Sequence, residues 1–563
     1  MRYMLAHARA PEPRHPPRET RVTADLLLQG GEVVDGSGAP AIRADVAVRA
    51  GRIVAVGDLG TMTAAETLDC RGRTITPGFI DVHSHADFVL PEADAGALVE
   101  PFVRQGMTTL VAGNCGFSPA PLTPRSARGA RDASRLMRDT PLEGSWSSMG
   151  EYLDTLAATG VPLNLVQLVG HGAVRAAVTG GLAPAPPTPE QLQAMERLTR
   201  ASLDAGAFGA SVGLGYAPGI FAQEPELTAF ARWAAEAGTP VTAHLRAYSR
   251  ISPAVPGDPD QVPHNVEAIA EMVRVAAAAR ARLQLSHLIF VGRRTWPTVE
   301  QALALIEQAR ADGLDVAFDA FPYTAGNTTA AVLFPPDMLP HLETVLESPD
   351  GLAGLRAMAE HVFAQIGFGL EDIQIMHANA PRFVGCDGCF VPEAAARLGL
   401  DPWELYARLV VESRRTARVL IHTYSGAEDD ERALRRVLAH PLCTIETDTI
   451  LTAHGHQNPA SYGTFPRVLS TYVAAGLFTF EEAVHRMTLA PAARFGLRDR
   501  GIVQPGAAAD LVVLDRRALR DTATFVAPAR YPTGIEHVFI NGQHVLDGDR
   551  YDAVRRAGAV LRR

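Results

Sequence analysis

The chain has 563 residues, 47% of them hydrophobic, 20% charged and 6% aromatic, which is ordinary globular usage and excludes a disordered or collagen-like chain. Its net charge is −10 with no basic stripe, so neither a nucleic-acid footprint nor a membrane partner is expected, and no apolar run reaches the roughly 18–20 residues a spanning helix needs. There is no lysine at all: the 52 basic residues are all arginine, which excludes a Schiff base or a carboxylated lysine bridging two metals.

Residues 1–21 carry Arg and Pro without an apolar stretch and read as a flexible tail rather than a secretory signal, so the expected compartment is the cytoplasm. Residues 24–28, 32–34, 45–49 and 52–57 are short β-branched runs bounded by glycines, the pattern of a small antiparallel sheet. The same texture returns at 510–515, 536–540 and 543–546, with Asn541-Gly542 as a hairpin turn. One β-sandwich built from both termini, 22–76 and 496–563, is expected; two unrelated β caps are the alternative.

Between them, apolar runs at 78–82, 108–113, 163–169, 207–213, 240–244, 283–287, 315–320 and 443–448 alternate with helical patterns such as 191–205, 224–237, 265–281 and 298–312. Eight such strands imply an α/β chain whose middle, 77–495, is a (β/α)8 TIM-like barrel, with its site at the C-terminal strand ends. Two stretches exceed a minimal barrel: 117–150, rich in Pro, Ser and Arg, and an insertion of about 330–430 between strands seven and eight, with a further strand at 417–422. Insertions of that length usually cover or shape a site.

Polar side chains collect at these strand ends. The first strand runs into Asp81-Val82-His83-Ser84-His85, and residues two apart on a strand face one way, so both imidazoles can reach one ion. The second ends in Gly113-Asn114-Cys115-Gly116, where glycines let the backbone turn tightly. The fifth ends in His244, the sixth in His287 and the eighth in Asp448. Singly, each reads equally well as packing: polar histidines at a strand end, an inert buried thiol. Together, imidazole, thiolate and carboxylate suit zinc, which acidifies a bound water and polarises a carbonyl. The carboxylate can take a proton and pass it to a leaving amine. The five cysteines, Cys70, Cys115, Cys386, Cys389 and Cys443, are too few and too odd in number for a disulfide framework.

Thr76-Pro77-Gly78-Phe79-Ile80-Asp81-Val82-His83-Ser84-His85 resembles the opening motif of the amidohydrolase superfamily. The Gly-Asn-Cys-Gly at 113–116 is similar to the D-aminoacylase (N-acyl-D-amino-acid deacylase) branch, as are Gly170-His171-Gly172 with Arg175, Ala243-His244-Leu245-Arg246, Ser286-His287, Asp319-Ala320-Phe321-Pro322-Tyr323 and the run Tyr462 to Leu469. So is Gly506 to Val513 near the C-terminus. The resemblance covers roughly residues 24–550. It implies a barrel flanked by a β-sandwich with one or two zinc ions at its mouth. His83 and His85 would serve one site, His244 and His287 the other. Cys115 would ligate or bridge where many relatives use a carboxylated lysine, and Asp448 would be the general acid/base.

The chain departs from the branch at two places. Ile289 stands where many members carry a lysine two residues after the sixth-strand histidine, and Asn458-Pro459-Ala460 replaces their His-Pro-Arg. Those basic groups hold a substrate carboxylate in the family, so Arg246, Arg293 or Arg294 would have to substitute, or the substrate presents an amide or neutral group. Tyr323, His171 and Arg246 are the substrate-binding candidates, with His171 and Arg175 equally readable as braces of the third strand. His454-Gly455-His456 reads as a surface or lid loop or else a substrate contact, and Cys386-Asp387-Gly388-Cys389 as a turn before a helix or else a redox or metal pair. The expected activity is zinc-dependent hydrolysis of a linear amide in an N-acyl-D-amino acid or a related D-residue amide or peptide. The alternatives are a cyclic amide hydrolase of the hydantoinase or dihydroorotase kind and a non-catalytic scaffold. The expected partner is a small-molecule substrate; self-association is left open.

Overall fold

β-Branched runs buried on both faces favour parallel pairing between covering helices, and the computed structural model shows this through the middle of the chain. It describes residues 23–123, 137, 142, 144, 146–181, 184–334, 338 and 341–563; the tail expected at 1–21 and much of 117–150 lie outside them. The parallel strands are β1 (Phe79–Ser84), β2 (Met107–Ala112), β3 (Asn164–Gln167, continued by Val169–Gly170), β4 (Ala210–Gly213), β5 (Pro240–His244), β6 (Arg282–Leu285), β7 (Val316–Ala320) and β8 (Cys443–Ile445).

β1, β2 and β3 form one parallel sheet, and β8, β7, β6, β5, β4 and the Val169–Gly170 continuation of β3 form another in that order. A parallel bridge joins Ser84 to Thr449. The register brings the C-terminal ends level: Gly213 lies opposite His244, Ala243 opposite Leu285, Leu285 opposite Phe318 and Ala320 opposite Ile445. The helices Pro189–Asp204, Glu224–Glu236, His264–Ala279 and Val299–Ala311 alternate with these strands. The first of them starts on a reciprocal cap between Thr188 and Gln191 with proline in its first turn, a combination that fixes the entry of the chain.

Both ends of the chain meet in one nine-stranded sheet. Leu511–Leu514 pairs antiparallel with Thr74–Pro77, and Ile535–Ile540, Gln543–Asp547 and Arg550–Tyr551 continue outward. On the other side lie Thr23–Val33, Ile42–Arg49 and Arg52–Gly57. Asn541 (φ 49°) and Gly542 (φ 76°) are both left-handed, as a two-residue hairpin turn requires. The runs expected at 24–28 and 32–34 are one strand, irregular between Leu28 and Gly31. Two strands carry no sequence signal: Thr63–Asp69 is mostly exposed and has no apolar alternation, and Thr74–Pro77 is short, wholly buried and ends in proline.

The segment between β7 and β8 has its own antiparallel sheet, Ala325–Thr329, Arg418–His422 and Ile373–His377 in that order. Its apolar core, around Ile373, Ile375, Tyr406, Val419 and Ile421, reaches Ile289, Phe321, Tyr323 and Ala460, tying it to the ends of the parallel strands. Among the described residues no helix is long and apolar enough to cross a membrane.

Candidate metal centre

The chain turns sharply just past the strand ends, and there the side chains with metal-ligand chemistry converge. His83 Nε2 lies 3.2 Å from Cys115 Sγ, which is 3.6 Å from His244 Nδ1 and 3.5 Å from His287 Nε2; the last two nitrogens are 2.9 Å apart. Asp448 Oδ1 lies 3.5 Å from His83 Nε2 and 3.8 Å from His85 Nε2. Tetrahedral zinc, with bonds of about 2.0–2.1 Å to nitrogen and about 2.3 Å to sulfur, spaces its ligand atoms by roughly 3.3–3.6 Å. The Cys115 contacts to His244 and His287 fall on that spacing, the His244–His287 nitrogens are tighter, and the chemistry of the donor set fits zinc, with His83 shared between a Cys115–His287 cluster and a His85–Asp448 cluster. All six sequence candidates for metal and proton transfer meet here.

The backbone is held in uncommon conformations to achieve this. Cys115 (φ 56°), His287 (φ 35°) and Asp448 (φ 44°) are all left-handed without being glycine, a cost of about 1–3 kcal/mol each that persists only where surrounding contacts over-determine it. Those contacts are present. Tyr216 donates to the Cys115 carbonyl (3.0 Å), and the Gly116 amide donates to Ser211 (3.0 Å). Gly116 is itself left-handed (φ 72°), and a Cβ there would sit 2.7 Å from the Gly213 amide nitrogen. The His287 amide donates to Asp319 (2.6 Å), which also accepts from Gln284 (2.7 Å). The Asp448 amide donates to the His83 carbonyl (3.1 Å). Asp81 accepts from the amides of His83 and Thr447 and from the Thr447 hydroxyl, tying the ends of β1 and β8 together.

The electrostatics are those of a site built around a positive charge. Burial drives His83 and His244 well below the ordinary imidazole range, His85 down to about 4 and His287 to about 3, so all four are neutral donors. Burial pushes Asp81 and Asp319 up to about 7. It raises Asp448, Glu446 and the Cys115 thiol well above their usual ranges, with neighbouring carboxylates adding to the effect. Nδ1 of His83, His85 and His287 and both oxygens of Glu446 are buried without a hydrogen-bond partner. A bound cation reverses this balance by stabilising thiolate and carboxylates together.

Sequence reasoning missed several residues around the cluster. Glu446 faces His83 Nδ1 at 3.6 Å and Asp319 faces it at 3.8 Å. Glu446 lies just past the last strand, two residues before Asp448, and that nearby acid was the signal that could have pointed to it. The Tyr248 ring packs 5.0 Å from both His244 and His287, and its hydroxyl accepts from the Leu245 amide (2.8 Å), a contact no local pattern announces.

The three substrate-binding candidates each have partners outside the cluster. His171 Nε2 meets Glu226 at 2.9 Å, and the same carboxylate accepts from Arg175 at 2.9 Å, inside the packing of helix His171–Thr179. Arg246 is paired with Glu271 (2.8 Å) and donates to the carbonyls of Ile220 and Ala222. Tyr323 donates to Asp521 (2.8 Å), and the Arg467 guanidinium covers its ring at 4.8 Å. Ile289 and Ala460 are both buried, and Arg293 pairs with Asp372 at 2.9 Å. Cys386 and Cys389 are buried thiols in the turn before helix Val391–Leu398, and His456 contacts the Phe525 carbonyl at 2.7 Å.

Parallel strands that deliver imidazoles, a thiol and a carboxylate to one buried point define the site of a metal-dependent hydrolase. The chain belongs to the amidohydrolase family, whose model matches residues 66–335 and 433–546. It is 36% identical over 543 residues to N-acyl-D-glutamate deacylase of Alcaligenes xylosoxydans xylosoxydans, covering 96% of each chain. It is 33% identical over 541 residues to the D-aminoacylase of the same organism, covering 96% of this chain and 98% of that one. The N-acyl-D-glutamate deacylase of Bordetella bronchiseptica, solved with zinc and a phosphonate mimic of the tetrahedral intermediate, superposes with a TM-score of 0.79 at 33% identity, covering 96% of this chain and all of that one.

Proposed function

We propose that this chain is a zinc-dependent hydrolase of a linear amide bond, which removes the acyl group from N-acyl-D-amino acids or related D-residue amides. The observation that carries the reading is the approach of His83, His244 and His287 to Cys115 within 3.6 Å, in a chain 36% identical along nearly its whole length to a D-residue deacylase.

His83, His85, Cys115, His244 and His287 would hold one zinc ion or two. When bound, zinc polarises the amide carbonyl and lowers the pKa of a water towards 7. A chain without lysine cannot form a carboxylated-lysine bridge, which counts against a cyclic amide hydrolase of that kind, and Cys115 would ligate in its place. Asp448, held by the hydrogen bond from its backbone amide to the His83 carbonyl, takes the attacking water's proton on its carboxylate and returns it to the leaving nitrogen, so that the amine departs neutral. Asp319 and Glu446, facing His83 Nδ1, orient that ring with Nε2 towards the cluster.

The architecture that serves this chemistry is a closed (β/α)8 barrel over 77–495, supported by the Ser84–Thr449 bridge between its first and last strands. It is flanked by a β-sandwich of 22–76 and 496–563, supported by the pairing of Leu511–Leu514 with Thr74–Pro77. The inserted segment at about 330–430 covers the site, and Tyr323, at its root, is the substrate contact we favour. His171 and Arg246, each already bonded to a carboxylate, brace the walls. No cation stands at Ile289 or Ala460, so an α-carboxylate is not held as in the lysine- and arginine-bearing members.

The test is a screen of the zinc-loaded protein against N-acetyl-D- and L-amino acids, their amides and hydantoins. Hydrolysis of the D-residue linear amides, with hydantoins untouched, is the expected result. Ring opening without linear hydrolysis would overturn it.

A further inference from the structure

We propose that His537, His544 and Asp547 form a second, solvent-facing site for a divalent transition metal such as zinc, on the sheet built from the chain ends and separate from the buried centre. Ile535–Ile540 and Gln543–Asp547 pair antiparallel, with His537 directly opposite Asp547. His544 and Asp547 are three apart, so in a regular strand they would face opposite sides of the sheet. The register shifts between Val538 and Phe539, and His544 comes to lie opposite Phe539. This bulge turns His544 onto the face that carries His537 and Asp547, which is a recurrent use of bulges at functional positions.

The result has metal-ligand spacing. His537 Nδ1 is 3.2 Å from His544 Nε2 and 3.3 Å from Asp547 Oδ1, and the three atoms lie within 4.8 Å of one another. Tetrahedral zinc with bonds of about 2.0–2.1 Å sets such edges at about 3.3–3.4 Å. The other nitrogen of His544, Nδ1, faces Glu66 Oε1 at 3.8 Å, the outer carboxylate that orients a metal-bound imidazole. The Phe539 ring stacks on His544 at 4.4 Å and fixes its plane.

The histidines are mostly covered (16% and 22% exposed) while Asp547 is open at 61%, beside a hollow of about 610 Å³ lined by Glu66, His544, Asp547, Arg550 and Tyr551. That leaves a position for water or an exogenous ligand. Two imidazoles and one carboxylate select zinc, nickel or copper(II) over calcium or magnesium. An ion here ties the C-terminal hairpin to strand Thr63–Asp69 of the N-terminal segment.

The full-length protein, stripped of metal and titrated with zinc chloride by equilibrium dialysis and calorimetry, tests this. The wild type is expected to bind one equivalent more than H537A/H544A, with turnover unchanged and a zinc-induced rise in Tm larger than in the variant. D547N, an exposed change that the fold tolerates, should weaken that equivalent at least tenfold. Equal stoichiometry in the wild type and the double variant, or, should that variant misfold, unaltered zinc titration in D547N, would overturn the proposal. Either result leaves the reading of the buried centre untouched.

Discussion

Two places in this chain bring histidines and an aspartate within a few ångströms of each other, by different means. At the ends of the parallel strands three of the six residues adopt left-handed backbone, and imidazole and carboxylate atoms are buried without partners. On the terminal sheet one bulge suffices, and water can reach Asp547. Burial makes the difference. In the first place backbone strain and desolvated acids accumulate, and a cation would offset the charge of the acids. In the second, solvent does that in the ion's absence.

The two should therefore respond differently to damage. The largest effect falls on Asp448: Asp448→Asn should lower turnover by about 10²–10⁴-fold, the usual worth of a positioned acid/base, with zinc content by mass spectrometry intact. Near-normal turnover would remove Asp448 from its role. Next, His244→Ala should weaken zinc at the buried cluster by at least about 100-fold, more than loss of an outer-shell partner, and lower turnover with it. A variant that keeps full zinc content would break the comparison. Asp319→Asn, which alters the acceptor of the His287 amide and the group facing His83 Nδ1, should cost about 10–100-fold in metal affinity.

The pH dependence of stability sharpens the contrast. In the metal-free protein Asp81 and Asp319 titrate near 7, and burial raises Asp448 and Glu446 as well, against about 4 in the unfolded chain. Above pH 7 the unfolded histidines have already lost their protons, so the native state binds more protons than the unfolded one through these carboxylates. Stability must then fall as pH rises from 7 to 9, read as a falling Tm. The zinc-loaded protein should show a flatter profile; parallel curves would contradict the electrostatic account. The smallest effect belongs to the sheet: D547N should change the unfolding free energy of the metal-free protein by no more than about 0.5 kcal/mol, by denaturant titration.

Much of this was legible in the sequence because parallel strands announce themselves as apolar runs and the candidate metal and proton-transfer residues stand at or near their ends. All eight runs correspond to parallel strands, and the six expected side chains meet. The reading was weakest where local pattern and environment part. Asp448 lies beyond the last strand, which ends at Ile445, and its own backbone is left-handed; no propensity encodes that turn. Thr63–Asp69 is a strand through its partner's hydrogen bonds, not through its own alternation. Arg246 was a natural candidate for a substrate carboxylate, but Glu271, 25 residues on, occupies it. Pairings across such distances are invisible to spacing arguments. The His537–His544–Asp547 group escaped for the same reason, since its common face depends on a bulge.

Zinc K-edge absorption of the zinc-loaded H537A/H544A protein, where only the buried centre remains, tests the central claim most directly. The account predicts one sulfur at about 2.3 Å among nitrogen and oxygen ligands at about 2.0–2.1 Å, with the sulfur lost in Cys115→Ala. A shell without sulfur in the parent protein would contradict it.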